Sequence, residues 1–179
     1  MLTTVTFERL AMSLRRFFAF VTTLCLLLVF GTANSTLAAT RCAAGPNKNL
    51  KACNFSGKNL AGVNLSGSNL TGADLTRATL TGANLTDTNL DRANLSGVRS
   101  GNIIGLPAIL ATNWILASGY LVGPRANLSG ADLGNLDLGR VSLRGAYLFK
   151  ANFEGSKLGR VTDINYVRSF GLRGQPASL

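Results

Sequence analysis

The chain has 179 residues, about the length of one domain. It carries 18 Lys and Arg against eight Asp and Glu, and it contains no His. Without His or clustered carboxylates the usual general acid–base pairs are missing, and no phosphate loop or metal-ligand spacing occurs. We therefore expect no enzymatic activity, no cofactor and no metal site. The basic balance favours solubility or an anionic partner, but no arginine–aromatic interleaving indicates a nucleic-acid groove.

Residues 1–39 have the order of a secretory signal peptide, with basic, then apolar, then small residues. The apolar stretch at 17–30 is shorter than the roughly 20 residues that a membrane span needs. We predict cleavage after Ala38 or Ala39, while an uncleaved membrane anchor stays open as the alternative. The expected location is the periplasm or the extracellular space, or the thylakoid lumen in a cyanobacterium.

A large apolar residue recurs at every fifth position from residue 50, with one interruption. Ala usually stands two positions earlier, Asn or Asp directly before it, and Ser or Thr after it, as in residues 83–86. A period of five fits a short extended segment that turns a corner every fifth residue, so the large and small residues face inward. The predicted core ladder is Leu50, Phe55, Leu60, Leu65, Leu70, Leu75, Leu80, Leu85, Leu90, Leu95, Leu128, Leu133, Leu138, Leu143, Leu148, Phe153 and Leu158.

This Ala–Asp/Asn–Leu–Ser/Thr–Gly cycle resembles the pentapeptide-repeat family. Four such sides would close a coil of about 20 residues, with each coil stacked on the last at the ordinary strand spacing. The resemblance implies an all-β fold, a right-handed quadrilateral β-helix. We assign residues 40–160 to this solenoid, with an insertion at about 98–125.

Two cysteines, Cys42 and Cys53, lie where the solenoid begins. In an oxidising compartment such a pair is predicted to form a disulfide bond. The alternative is that Cys53 is buried and unpaired.

The five-residue register is lost across residues 98–125, which resemble an insertion found in cyanobacterial pentapeptide-repeat proteins. Interfaces are enriched in Trp, Tyr and Arg, so Trp114, Tyr120, Arg99 and Arg125 are the candidate docking residues. The alternative is that the segment folds back onto the solenoid and buries its apolar groups.

The segment 161–179 is predicted to cap the solenoid. A short helix begins at Thr162 or Asp163, carries Phe170 on its apolar side and ends at Gly171.

Together these features predict a non-catalytic scaffold or protein-interaction module outside the cytoplasm, whose partner is a protein. One alternative is a membrane-anchored or membrane-surface protein that uses its basic charge. A gyrase-binding DNA mimic, known among pentapeptide-repeat proteins, presents an acidic rod, whereas this chain is basic, short and predicted to be exported. We expect no nucleic-acid partner and membrane contact only through an uncleaved leader. The oligomeric state stays open.

Overall fold

The computed structural model describes residues 41–139, 141–159, 167–174 and 176. The compact unit considered below runs from Cys42 to Leu179. The predicted signal peptide and the predicted start of the C-terminal helix lie outside the described residues. Within the described ranges, no helix has the length and apolar character needed to cross a membrane.

The backbone coils so that each turn, which we call a row, stacks on the one before it. Single outward-facing residues of successive rows pair in parallel bridges, and each row carries four such positions. In the first row these pairs are Asn49 with Asn69, Asn54 with Asp74, Asn59 with Thr79, and Asn64 with Asn84. Four bridge positions per row define four faces. Between two faces lies a corner whose second residue adopts a positive φ, as Gly97 does at 71°, a conformation that glycine reaches without a steric penalty.

The predicted core ladder lies in the interior of this coil. Sixteen of its seventeen residues are buried, and Leu158 in the last row is half-buried. The small inward residues, such as Ala73 and Ala83, are also fully buried. Small and large buried side chains therefore alternate in the narrow interior, an arrangement that suits close packing.

The Asn and Asp residues between the inward positions shape the corners. The Oδ1 atom of Asn84 accepts the Thr86 N–H at 3.0 Å and the Thr86 hydroxyl at 2.7 Å. The same bond to a backbone N–H two residues on recurs at Asn54 and Asn69. This local bond is typical of Asn and Asp at turns, so these outward residues direct the backbone around the corner.

The coil continues further than the sequence predicted. Bridges join Arg99, Ile104 and Ile109 to the row below, so backbone pairing extends into the segment 98–125 that the sequence assigned to the insertion. The break in the sequence pattern has a simple cause: Ser100 and Gly105 occupy the places of two inward leucines. The backbone bonds to the row below persist although the side-chain pattern is lost.

The insertion itself is a short antiparallel hairpin. Strand β1 spans Ile115–Ala117 and strand β2 spans Tyr120–Val122. The coil resumes where Arg99 bridges to Asn127, whereas in the row below Thr79 bridges to Arg99. The hairpin segment therefore absorbs eight positions more than a regular row contains.

The hairpin lies at the junction of two core clusters. The lower cluster holds buried residues from Leu50 to Leu121, and the upper cluster holds those from Val122 to Phe153. The neighbours Leu121 and Val122 are both fully buried. The Oγ atom of Ser100 accepts the Leu121 N–H at 2.9 Å. The serine that interrupts the leucine pattern thus anchors the inserted strand.

At the C-terminal end, the predicted helix is wrong for the described residues. Arg168 bridges to Tyr147 and Arg173 to Asn152, each pair one position further apart in sequence than the pairs of the first row. The Arg168 N–H donates to the Ala146 carbonyl at 2.9 Å. The open edge of the last coil offers such backbone bonds, whereas an isolated short helix is marginal in water.

At the N-terminal end, Cys42 and Cys53 are disulfide-bonded with their Cα atoms 5.6 Å apart. Cys53 is only 2% exposed and occupies the small inward position of its repeat. Lys48 and Lys58 stand at equivalent inward positions of the first row but are exposed. The first row is therefore less completely closed around the core than the rows above it.

Candidate functional site

One face of the coil crosses the hairpin junction without a break. Its outward residues, Asn59, Thr79, Arg99, Asn127, Tyr147 and Arg168, are joined by consecutive parallel bridges, and we call it the Arg99 face. Among the described residues, Ile104 and Ile109 on two other faces have no bridge to the row above. The Arg99 face is therefore a continuous surface although the core behind it is divided.

A groove of about 730 Å³ lies on the Arg99 face and the corner beside it. Four arginines and one tyrosine line it: Arg77, Arg99, Arg125, Arg168 and Tyr147. We call it the arginine groove. All four arginine side chains are exposed. Its remaining described lining consists of hydroxyl, amide and glycine residues, with no carboxylate among them.

The corner beside the face alternates arginine and glycine from row to row: Arg77, Gly97, Arg125, Gly145. A Cβ atom added to Gly97 would lie 3.1 Å from Cγ of Arg77, and one added to Gly145 would lie 3.3 Å from Cγ of Arg125. Each arginine stem therefore lies across the glycine of the next row. The missing glycine side chains make room for these two stems.

Within the described part of the chain, no carboxylate forms a salt bridge with the four groove arginines. The salt bridge found there joins Arg92 to Asp91 at 3.6 Å, away from the groove lining. The Arg168 guanidinium lies 5.4 Å from the centroid of the Tyr147 ring and so covers that ring with positive charge. The groove is therefore a local concentration of positive charge.

One carboxylate, Asp74, lies two residues before the groove residue Thr76. Hydrogen bonds from the Thr76 hydroxyl and backbone N–H hold the pKa of Asp74 below its ordinary value. The carboxylate is therefore ionised at neutral pH, with Oδ1 committed to its own corner.

The structure separates the predicted docking residues. Arg99 and Arg125 line the arginine groove, whereas Trp114 and Tyr120 lie at the hairpin. Trp114 is half-buried and packs against both core clusters. The Tyr120 hydroxyl accepts the Asp132 N–H at 3.4 Å. The two aromatic residues thus pack onto the coil, and their docking role stays a prediction.

Sequence reasoning missed Arg77, Tyr147 and Arg168. The regular row length would have placed Arg77 directly below Gly97 and next to Arg99. Tyr147 and Arg168 could not be assigned to the groove from the sequence, because two steps along this face depart from the regular row length. These are the step across the hairpin, from Arg99 to Asn127, and the last step, from Tyr147 to Arg168. Neither departure follows from the five-residue period.

A second exposed feature lies near the C-terminal end. The rings of Phe149 and Phe170 stack with their centroids 6.3 Å apart. The Lys150 Nζ atom lies 5.2 Å from the Phe149 ring centroid. Phe170 is 78% exposed, so the stack presents apolar surface to the solvent beside a cation.

The described residues contain no group of three or more Cys, Asp or Glu side chains arranged to hold a metal ion.

The fold is that of a coil assembled from five-residue units, and comparison with known families agrees. The family described as pentapeptide repeats matches eight copies, over residues 49–82, 59–97 and 126–162. The chain belongs to the pentapeptide-repeat family. The hairpin segment lies between the matched ranges.

Three solved structures are among those similar to the chain. A pentapeptide repeat protein, Rfr23, from the cyanobacterium Cyanothece 51142 is 26% identical, with 68% of this chain and 63% of that chain covered and a TM-score of 0.24. HetL, involved in heterocyst differentiation regulation in the cyanobacterium Nostoc sp. strain PCC 7120, is 28% identical, with 70% and 48% covered and a TM-score of 0.21. QnrB1, a plasmid-mediated fluoroquinolone resistance protein, is 17% identical, with 69% and 81% covered and a TM-score of 0.26.

The chain thus spans 63% and 48% of the lengths of the first two structures. At these TM-scores the superpositions carry no argument about this protein. No curated protein sequence gives a significant match.

Proposed function

We propose that the protein is a non-catalytic scaffold that binds a partner protein outside the cytoplasm. The observation that carries the proposal is the arginine groove, whose four exposed guanidinium groups have no described carboxylate partner. Complementary charge steers association between proteins, so an exposed cationic surface of this kind is suited to an external anionic group.

Two features support the absence of catalysis. The sequence contains no His, the most common general acid–base residue. In the described ranges, the groove lining holds no Asp, Glu or Cys that could act as a nucleophile or proton carrier. The groove supplies positive charge and hydroxyl groups, which serve binding.

A location outside the cytoplasm is supported by the signal-peptide pattern of residues 1–39 and by the Cys42–Cys53 disulfide. Disulfides persist in oxidising compartments and are rare in the cytosol. N-terminal sequencing of the protein from its source cells tests this: a start at Thr40 or Ala39 is expected, and an intact Met1 would contradict it.

We further propose that the coil is a right-handed, four-sided β-helix. Four bridge positions per row support the four sides, and family membership supports the hand. An experimental structure of the protein would give the hand directly, and a left-handed coil would overturn this part.

The protein-binding role is tested by chemical cross-linking in the source cells, followed by mass spectrometry of the linked peptides. Cross-links from the protein to one or a few defined proteins are expected. If the protein is recovered without any cross-linked partner, or linked to lipid alone, the scaffold role is wrong.

A membrane-surface role is the second candidate, favoured by the exposed Phe149–Phe170 stack beside Lys150. Aromatic rings next to cations suit the interface of an anionic membrane. Sedimentation with phosphatidylglycerol vesicles tests it. A Phe149→Ser, Phe170→Ser double variant should lose vesicle binding if this role holds, and a wild-type protein that stays in the supernatant would exclude it.

A further inference from the structure

We propose that the arginine groove binds an extended acidic segment of a partner protein, with glutamate or aspartate side chains paired to successive rows. This proposal rests on the protein-binding role proposed above and names the chemistry of the contact. Four features of the groove carry it: the spacing of its charges, the support of its arginines, its polar lining and its lack of a stacking surface.

The charges are spaced along the coil axis. Of the five rows that line the groove, Arg77, Arg99 and Arg125 belong to three successive rows, and Arg168 belongs to the last. Rows stacked at the ordinary strand spacing of about 4.8 Å make a groove roughly 19 Å long. An extended peptide rises about 3.3 Å per residue, so about six residues would span that length.

The stems of the two corner arginines, Arg77 and Arg125, pack over glycines of the next row. Their stems lie across Gly97 and Gly145, where a Cβ atom would come within 3.1 and 3.3 Å of an arginine Cγ. A stem confined in this way loses less side-chain freedom on binding. The planar guanidinium group then offers a carboxylate two parallel hydrogen bonds.

The lining between the arginines suits a peptide backbone. Thr76, Thr79, Ser96 and Asn127 contribute hydroxyl and amide groups. The Thr79 and Ser96 hydroxyls can both donate and accept hydrogen bonds. The Thr76 hydroxyl already donates to Asp74 and Asn127 Oδ1 already accepts the Ser129 N–H, so these two residues offer an acceptor oxygen and a donor NH₂ group to the backbone of an extended chain. A ligand segment can therefore satisfy its own backbone while its acidic side chains reach the arginines.

The same lining disfavours single-stranded nucleic acid and lipid acyl chains. Single-stranded nucleic acid is held by bases stacked on aromatic rings, but among the described residues Tyr147 is the single aromatic residue of the groove lining, and Arg168 already covers its ring. Of the residues that the structure describes, no large aliphatic side chain lines the groove to receive an acyl chain. An acidic peptide is the ligand that matches both the charges and the polar lining.

The test measures fluorescence anisotropy of a labelled twelve-residue peptide of alternating Glu and Ser, titrated with the purified protein at 50 mM salt. Binding is expected, with weakening at 200 mM salt because exposed charges are screened. The double variant Arg99→Gln, Arg125→Gln should bind at least tenfold more weakly. A matched control, Lys51→Gln, Lys157→Gln, removes the same charge from exposed sites outside the groove lining and should stay within twofold of wild type.

Three results would overturn the proposal. Equal losses in both double variants would mean that net charge alone attracts the peptide. Equal binding of a peptide with Gln in place of Glu would mean that carboxylates are not recognised. Tighter binding of a twelve-nucleotide oligothymidine or of phosphatidylglycerol vesicles, lost in the groove variant, would assign the groove to another ligand class.

Folding and the broader role are checked separately. Because all four arginines are exposed, the groove variant should melt as wild type does. If it does not, the variant Arg77→Gln, Arg168→Gln replaces it under the same criteria. A partner protein that cross-links equally to wild type and groove variant would refute the acidic-segment proposal while leaving the scaffold role intact.

Discussion

The block of rows below the hairpin, residues 49–109, and the block above it, residues 126–158, are built from the same five-residue unit but differ in regularity. In the first rows of the lower block, all four faces are bridged to the next row. At the hairpin junction, the Arg99 face is the only one bridged among the described residues. The side-chain core follows the same division into two clusters. The comparison teaches that backbone pairing to the row below can continue where the leucine pattern stops, as it does at residues 98–109.

The largest expected effect tests whether the two blocks share one kind of core. Leu75 and Leu133 are both fully buried, one in each block. Changing either to Ala should lower the free energy of unfolding by about 2–5 kcal/mol, because the rigid coil cannot collapse around the cavity. Urea unfolding gives both values.

The outward residue Asn84 is the control for these leucines. Its change to Ala removes the bonds from Thr86 and should cost about 1 kcal/mol. If Asn84→Ala and Leu75→Ala lost equal stability, the division into inward and outward positions would be wrong.

The next effect concerns the junction. Trp114 packs against both core clusters and is half-buried. Trp114→Ala should cost about 3 kcal/mol, the lower end for such a truncation. It should also separate the unfolding of the two blocks into two transitions in calorimetry.

Leu106, which is 74% exposed at the top of the lower block, provides the control. Leu106→Ala should change stability by less than about 0.5 kcal/mol. A Trp114→Ala protein that melts like wild type but no longer cross-links its partner would instead support the predicted docking role of Trp114.

A third effect distinguishes the ends of the coil. The Cys42–Cys53 bond closes a sequence separation of 11 residues at the start of the lower block, and in the chain-entropy description it stabilises by roughly 3 kcal/mol. Reduction should therefore lower the melting temperature and speed hydrogen exchange at Leu50 and Phe55 first. A Cys42→Ser, Cys53→Ser variant should show no response to reductant, and two free thiols in protein from source cells would contradict the bond.

The smallest effect is a pH dependence. Because hydrogen bonds from Thr76 lower the pKa of Asp74 in the folded state, this group adds stability above its unfolded pKa of about 3.9, and that stability is lost as the pH falls through the lower folded value. The melting temperature should fall less in Asp74→Asn than in wild type between about pH 5 and about pH 2, the range in which carboxylates titrate. If the melting temperature falls equally in the variant and in wild type at acid pH, Asp74 contributes nothing measurable to stability.

The sequence predicted the features that depend on the five-residue period. The inward leucines and the outward Asn residues follow from spacing, whereas the four-sided section was implied by the family resemblance. The hairpin and the arginine groove depend instead on contacts between rows, and those contacts shift by eight positions at the junction. Ser100 shows the limit of pattern reading: it breaks the leucine repeat in the sequence, yet in the structure it binds the inserted strand through Leu121.

The long step from Arg99 to Asn127 also has an angular consequence. Each five-residue unit advances the chain by a quarter of a revolution around the coil axis. If one unit were removed between the two blocks, every inward residue would still point inward, but the upper block would be rotated by one face relative to the lower block. Arg125 and Arg168 would then point away from Arg77 and Arg99. Eight is not a multiple of five, but the hairpin segment accommodates the eight extra positions. Asn127 therefore bridges to Arg99, and the upper block stays in rotational phase with the lower one. Insertion of a whole row would lengthen this protein's reach, whereas insertion of a single five-residue unit would rotate its surfaces apart.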